Sequence, residues 1–434
     1  MRAWLAIKPA LFKRARDAYS ERIHFGRALL RVCVLGAGIV GLATAYELRR
    51  AGHEVTVVDA AAEVAAGASG GNGGQLSYSY VQPLADPSIW LQLPHLLLSR
   101  TSPLKIRPAL DTRQWAWACR FMLACNAAQS TATTAKLLAL AAASRAQFDA
   151  MREREGIEGD FSATGKLVLS RTESAFAAAR RQMALQHTLG GALQQAVNRD
   201  EAIAIEPALA QAGVPIAGAI FTPSECAADC QKVCAALARV LRNQGVQLRL
   251  GAKVGGFARR GARLLAARTD AGDVAADRFV MALGAASVPL ARQVGVRLPL
   301  YPLKGYSITV PIEPGSGAPR VNITDSARKV VFARIGDRLR VAGMAELVGN
   351  DASIPLARIE SLQESLRSLF PGCGNPRELQ SWTGMRPATP TGEPIVGLHR
   401  DGPANLVFNT GHGALGFTLA FGTALQVTNL FAAA

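Results

Sequence analysis

Six consecutive residues, Gly36-Ala37-Gly38-Ile39-Val40-Gly41, and an acid, Asp59, placed 23 positions after the first of them, have the types and spacing to hold a dinucleotide. Gly36 permits a tight turn, Gly38 lets backbone approach a pyrophosphate, and Gly41 lets a helix pack closely on a strand. The first N–H groups of that helix would face the phosphates with the positive end of its dipole. Asp59 would accept hydrogen bonds from both ribose hydroxyls and would repel a 2′-phosphate, which disfavours NADP.

The elements that must position these residues are legible around them. Arg31 to Leu35 reads as a short buried strand, Leu42, Ala45, Tyr46 and Leu48 fall at helical spacing, Gly52 suits the helix end, and "EVTVV" reads as a second strand ending at Asp59. The unit alone leaves NAD and FAD both open. A second cluster, "AAGASGGNGGQLSYSY" (65–80), has Gly67, Ser69, Gly70, Gly71, Gly73 and Gly74, whose backbone is free to lie against a flat ligand, as an extended FAD requires. Farther on, "DRFVMALGAAS" (277–287) is a strand running into a turn at Gly284, and "NTGHGALGFTLAFG" (409–422) is a glycine-rich loop opening a helix. Nucleotide contacts at both ends of a chain imply a domain assembled from separated segments, an arrangement of flavoproteins rather than of NAD dehydrogenases of this length.

At 434 residues, 49% apolar and 18% charged, the chain can bury the cores of two domains. The net charge of +16 comes from scattered, mostly arginine residues with no basic run interleaved with aromatics, so no nucleic-acid partner is expected; peripheral attachment to an anionic membrane is the more natural use of such charge. Seven cysteines without a repeated spacing suit a reducing compartment. Cys226, Cys230 and Cys234 would share a face on a helix, but three thiols without a nearby histidine are a poor ligand set, and no metal is expected. No uninterrupted apolar run reaches the length of a membrane span, so the chain is expected in the cytoplasm or on the inner face of the cytoplasmic membrane, without a transmembrane segment. Residues 1–30 carry seven basic residues against two acids and lack a signal-peptide pattern; they read as an N-terminal extension.

With these pieces in view, the sequence resembles the D-amino-acid dehydrogenases of the D-amino-acid oxidase superfamily, from about Val32 to about Asn429. The segments that carry the resemblance are "NGGQLSYSY", "PLKIRPALDTRQWAWACRF", "ADCQKVCAALA", "YPLKGYSITVPI", "DRLRVAGMAELVGND", "WTGMRPATPTGEPIVG" and the closing "NTGHGALGFTLAFG". The resemblance implies an α/β fold: a discontinuous Rossmann-like FAD domain of glutathione-reductase type and an α+β, sheet-containing substrate domain. It implies FAD contacts at Gly36 to Gly41, Asp59, Ser69, Asn72, Gly74, Gln75, Val254, Gly284 and at Gly411, His412, Gly413, Ala414, Leu415 and Gly416. In this reading His412 belongs to the flavin loop rather than acting as a general base.

Such an enzyme must hold an amino acid by its carboxylate and present the Cα–H to the flavin N5. Arg386, in "GMRP", is the expected clamp, because a guanidinium offers two parallel donors matched to a carboxylate. Tyr306, in "KGYS", is expected to add a hydroxyl to the carboxylate or to wall the pocket. Tyr78 and Tyr80, on one face if extended, are expected to line the site. The implied reaction is oxidative deamination of a D-amino acid to a 2-oxo acid and ammonia, with a quinone or another carrier taking the electrons. Alternatives are a sister enzyme acting on D-hydroxyproline, D-proline, sarcosine or glycine, and a non-catalytic flavin-binding subunit. The FAD domain is expected from 31–110, 222–288 and 381–434, and the substrate domain from 111–221 and 289–380, with a sheet from "GKLVLS", "YSITVPI", "KVVFARI" and "RLRVAGMAE".

Overall fold

The computed structural model describes residues 29–90, 104–373 and 378–432, so the N-terminal extension lies outside the described residues except for its last two positions. Strand β1 (Arg31–Leu35) is buried from its second residue on, as befits a central strand covered on both faces. Helix α1 (Ile39–Arg50) and strand β2 (Glu54–Asp59) complete the unit, with β2 parallel to β1 in the register Arg31↔Glu54 to Leu35↔Val58. The full sheet runs Ile395–Leu398, Leu406–Thr410, Arg278–Met281, β1, β2, Gln247–Leu250, and only the first strand is antiparallel to its neighbour. Segments from the start, middle and end of the chain thus meet in one layer.

A second, nine-stranded sheet runs Gln380–Ala388, Tyr301–Pro311, Arg338–Leu347, Val330–Ile335, Asn322–Asp325, Lys166–Ser170, Gly218–Thr222, Gln195–Val197, with Leu104–Ile106 added beside Arg338–Leu347. All four strands expected for this sheet belong to it. Helix Leu356–Leu369 covers one face, burying Ile359, Leu362 and Leu366 against Ile308, Val310 and Val341. The other face carries the glycine segment that leads back to the nucleotide layer.

Two boundaries drawn from sequence are corrected by the packing. Strand Gln380–Ala388, placed with the nucleotide segments, pairs through nine residues with Tyr301–Pro311 in the large sheet. Helix Ala127–Glu155, placed in the substrate segments, buries Leu137, Leu138, Ala141 and Phe148 in the same core as Val32, Tyr46 and Val57. It crosses the last helix so closely that a Cβ on Gly422 would lie 2.7 Å from the Leu140 carbonyl oxygen. Alanine and glycine surfaces permit that approach, and no periodicity in the sequence states which layer they approach.

The residues Gly413–Ala432 are long and apolar enough, by length and composition, to cross a membrane, although Thr418, Thr423, Gln426, Thr428 and Asn429 interrupt the apolar run. In the fold this is a core helix: Leu419, Ala420, Phe421, Ala424 and Val427 are wholly buried between α1 and Ala127–Glu155. Cys230 and Cys234 lie buried on helix Cys230–Asn243 as expected of a core face, but Cys226 belongs to the short strand Cys226–Ala227, so the three thiols do not form one helical stripe.

Candidate functional site

The β1–α1 turn has the geometry its glycines foretell. Gly36 adopts φ +113°, and a Cβ there would come 2.5 Å from the Ala282 carbonyl oxygen; a Cβ on Gly41 would come 1.9 Å from that of Gly36. At Gly38 the constraint is different, since a Cβ would meet only the Ser69 hydroxyl, at 3.2 Å. Gly38 therefore turns its backbone outward. Ser69 Oγ accepts from the Ile39 N–H at 3.0 Å and keeps its own proton to donate. Asp59 accepts from the Ala37 N–H at 2.7 Å through one carboxylate oxygen and from the Ala61 N–H at 2.9 Å through the other. Its first task is thus to brace the turn, and one lone pair on each oxygen remains for a ligand. Val254 begins the strand that follows the Ala252 N–H bond to the Asp59 carbonyl, beside that same end of the sheet.

From Gly71 to Gly74 the glycine cluster, expected to lie against a flat ligand, packs closely on protein. It crosses the inner face of the large sheet. Ser307 Oγ donates to the Gly71 carbonyl at 2.7 Å, an Arg340 N–H to that of Asn72 at 3.2 Å, and Gln75 Nε2 to the carbonyls of Ile323 and Phe332. Cβ atoms would strike the Trp382 indole at Gly71, Val331 at Gly73 and Ile335 at Gly74, each at less than 3 Å. The glycines permit close contact of loop and sheet. The side chain of Asn72, which accepts from the Gly74 N–H at 2.9 Å, and that of Gln75 are occupied within the protein.

Arg386 stands on the edge strand Gln380–Ala388 opposite Leu303, and its guanidinium lies flat over Gly305: a Cβ there would be 2.3 to 2.6 Å from three guanidinium atoms. Its NH1 donates at 2.7 Å to the carbonyl of Met344. Met344 has φ +63°, at a bulge in the pairing of Arg338–Leu347 with Tyr301–Pro311. A bulge re-aims a backbone group, and this one delivers a carbonyl to the arginine. Among the described residues no carboxylate pairs with Arg386. Removal from water, with nothing to offset it, pushes its pKa down to about 10, so at neutral pH it is a cation waiting for an anion.

The same strand gathers the other two turns. Pro387 is the nearest side chain to Gly284, at 3.9 Å from where its Cβ would be, and Ala388 forms a β-bridge to His412. Gly284 (φ +58°) and Gly413 (φ +54°) are partly accessible, and a Cβ on Gly413 would meet no protein atom within 4 Å. Behind this open turn, Gly411 packs on Thr389 and Leu300, and His412 is buried.

The family model described as FAD dependent oxidoreductase matches residues 31–430. The chain belongs to this family. Among its relatives, D-amino acid dehydrogenase 2 of Ralstonia nicotianae is 45% identical over 414 residues, covering 93% of this chain and 96% of the relative; the protein of the same name from Pseudomonas aeruginosa is 44% identical, covering 91% and 92%. Among solved structures, glycine oxidase from Bacillus cereus matches with TM-score 0.71 at 19% identity, covering 93% of this chain and 95% of that one, and L-proline dehydrogenase from P. horikoshii with TM-score 0.70 at 17%, covering 93% and 94%. These two establish likeness of fold.

The chain of this FAD-dependent oxidoreductase leaves room for its cofactor where backbone is turned outward, at Gly38, Gly284 and Gly413, while Ser69 and Asp59 hold unspent hydrogen-bonding capacity at the β1–α1 turn. His412 Nε2 meets Thr423 Oγ1 at 3.0 Å, and that hydroxyl donates its own proton to the Ala420 carbonyl, so the ring nitrogen is the donor. Burial lowers the His412 pKa to about 4, which keeps the imidazole neutral at every pH above that. The ring pins the turn 413–416 to its helix. His412→Ala is expected to raise the FAD dissociation constant about tenfold, the worth of one buried hydrogen bond, with kcat changed by less than about threefold; fluorescence titration and steady-state rates at saturating FAD check both.

Three expected site residues are placed elsewhere. Tyr306 alternates with Gly305 and Ser307, so its side chain enters the helix-covered face, where its hydroxyl donates to Glu346 Oε2 at 2.6 Å and Glu346 pairs with Arg358. It does not share a face with Arg386. Only Gln75–Leu76 of the "GGQLSYSY" segment is strand, so Tyr78 and Tyr80 diverge. Tyr78 lies in the nucleotide-layer core with the Arg145 guanidinium 5.6 Å over its ring, whereas Tyr80 lies beneath Lys166. Gly305, Met344, Trp382 and Lys166 were missed; a glycine in a strand signals close approach, and Gly305 was readable on that ground.

Proposed function

We propose that this FAD-dependent oxidoreductase deaminates D-amino acids to 2-oxo acids and ammonia, with the substrate carboxylate held by Arg386. The observation that carries this reading is the uncompensated guanidinium, aimed by Gly305 and the Met344 carbonyl beside the Gly284 and Gly413 turns. Bound FAD supplies an acceptor, at N5, for the two electrons and proton of the Cα–H bond. The chain supplies placement: Gly36 to Gly41 and Ser69 at the pyrophosphate, Asp59 at the ribose, Val254 beside the adenosine end, and the backbone near Gly74, of Gly284 and of 411–416 around the flavin. Neutral His412 is spent on Thr423 and is not the base at Cα; the substrate amine must be neutral, and water hydrolyses the imine. The nucleotide layer, including 127–155, is the cofactor unit, and the large sheet, including 380–388, the substrate unit.

The names of the relatives support the D-amino acid, and a membrane quinone or another carrier is the acceptor in this reading. Peripheral attachment to an anionic membrane face is supported by the net charge of +16 and by helix Thr112–Ala124, where Trp115, Cys119 and Leu123 are exposed at four-residue spacing next to exposed Arg113 and Arg120.

Anaerobic addition of D-alanine to the purified holoprotein is expected to bleach the flavin absorbance, and L-alanine to leave it unchanged. Bleaching by sarcosine or D-proline alone would reassign the substrate to a cyclic or N-methyl amino acid. A spectrum that no small amine moves would favour a non-catalytic flavin-binding role.

A further inference from the structure

Lys166 is the first residue of strand Lys166–Ser170 and only 2% exposed. Leu167 and Leu169 occupy the helix-covered core, so Lys166 projects from the opposite face, the one crossed by the glycine loop. Its Nζ donates to Ser77 Oγ at 2.8 Å and stands 4.3 Å from the centre of the Tyr80 ring. The backbone N–H of Ser77 in turn donates to Thr418 Oγ1 at 3.2 Å, in the first turn of the helix that follows Gly413–Leu415. Two hydroxyls and one peptide N–H therefore link the amine to the helix that follows the turn assigned above to the flavin.

A buried lysine kept for structure has an acid in contact. Lys166 has no ion-pair partner among the described residues. The nearest influential acid is Glu225, which spends Oε1 on the Ser79 N–H at 2.6 Å and leaves Oε2 buried without a partner; no ion pair joins it to Lys166. The groups beside Lys166 on the sheet, Thr222 and Asn322, carry no charge, nor does Thr418. Tyr80 and Glu225 are the titratable groups that face it among the described residues.

We propose that Lys166 is a positioning residue that couples reduction of the bound flavin to uptake of one proton at its own amine, held near the cofactor by the Ser77–Thr418 link. This rests on the placement of the flavin at the 413–416 turn. In the oxidised enzyme the amine is mostly ammonium at pH 7 and gives way to the neutral form near pH 8: burial lowers its pKa to about 8, with Glu225 opposing the shift. A two-electron, one-proton reduction of flavin held at the 413–416 turn would place a negative charge there. That new negative charge favours ammonium over amine, so above the oxidised-state pKa Lys166 takes a second proton from solvent. Below it, Lys166 already carries that proton and only one is taken up.

The test is the midpoint potential of the FAD-loaded protein between about pH 7 and pH 9.5, a range that brackets the lysine's titration. The wild type is expected to change from one proton per two electrons to two, with the break near pH 8. Lys166→Met is expected to take one proton across the range, and Lys166→Arg, a permanent cation, likewise. Glu225→Gln, which removes the acid that raises the lysine, is expected to move the break to lower pH. A wild-type break that survives Lys166→Met or Lys166→Arg with FAD bound overturns the proposal, as does a break unmoved in Glu225→Gln should the lysine variants not fold. Failure of the wild type to bind FAD would sink the cofactor placement instead, so the two failures are distinguishable.

Discussion

Replacing Arg386 with methionine is expected to lower kcat/KM for D-alanine by about 10³-fold while leaving FAD bound and the melting temperature unchanged or higher. The two effects have one cause. A desolvated guanidinium whose protein partner is a single carbonyl, that of Met344, costs the folded protein free energy that only an anion can return. With substrate present, truncation removes one side of a charge-assisted pair, worth about 4 kcal/mol at such sites. Without substrate, the apolar replacement relieves the uncompensated cation. Arg386→Lys is expected to stay as impaired as the methionine variant, because an ammonium cannot offer two parallel donors or lie flat on Gly305. A kcat/KM within about tenfold of wild type in Arg386→Met would remove the arginine from the carboxylate site. The folded-state pKa of about 10 also has a consequence: below that value the arginine is cationic, so it contributes no loss of activity between about pH 6 and pH 9.

Gly41→Val is expected to abolish FAD binding and to cost about 3 kcal/mol or more of stability, at the upper end of overpacking effects. The Cβ would lie 1.9 Å from the Gly36 carbonyl oxygen, and that oxygen belongs to the backbone, so no side-chain rotation relieves the clash. Helix α1 must leave β1. That moves Gly38 and the Ile39 N–H, which Ser69 holds and which form the proposed pyrophosphate site. The ratio of flavin to protein absorbance in the purified variant, with its thermal melt, reads both effects. Gly67→Ala is the control, since a Cβ there meets nothing within 4 Å; it should retain FAD. Full flavin occupancy in Gly41→Val would show that the turn is not the phosphate site.

The nucleotide unit is encoded in the order of residues alone, because everything in it is local: a turn, a helix and two strands within about thirty residues leave each glycine one geometric task, and Asp59 arrives at the strand tip by count. The strands of the large sheet are encoded in the same way, through an apolar alternation that is a local signal, and the motif around Arg386 singled out that arginine. Which face each side chain uses, and what lies across from it, is not written locally. Tyr306 and Gly305 are neighbours in sequence, yet one supports Glu346 in the helix-covered core and the other makes room for Arg386. Gly71, Gly73 and Gly74 look the same whether they face a ligand or a sheet, and it took folding to set Trp382, Val331 and Ile335 against them. Helix Ala127–Glu155 and strand Gln380–Ala388 crossed between layers for the same reason. Partners far apart in the chain are chosen by packing and by hydrogen bonds that leave no period in the sequence, and Lys166, Ser77 and Thr418 became neighbours only when both layers closed on one another.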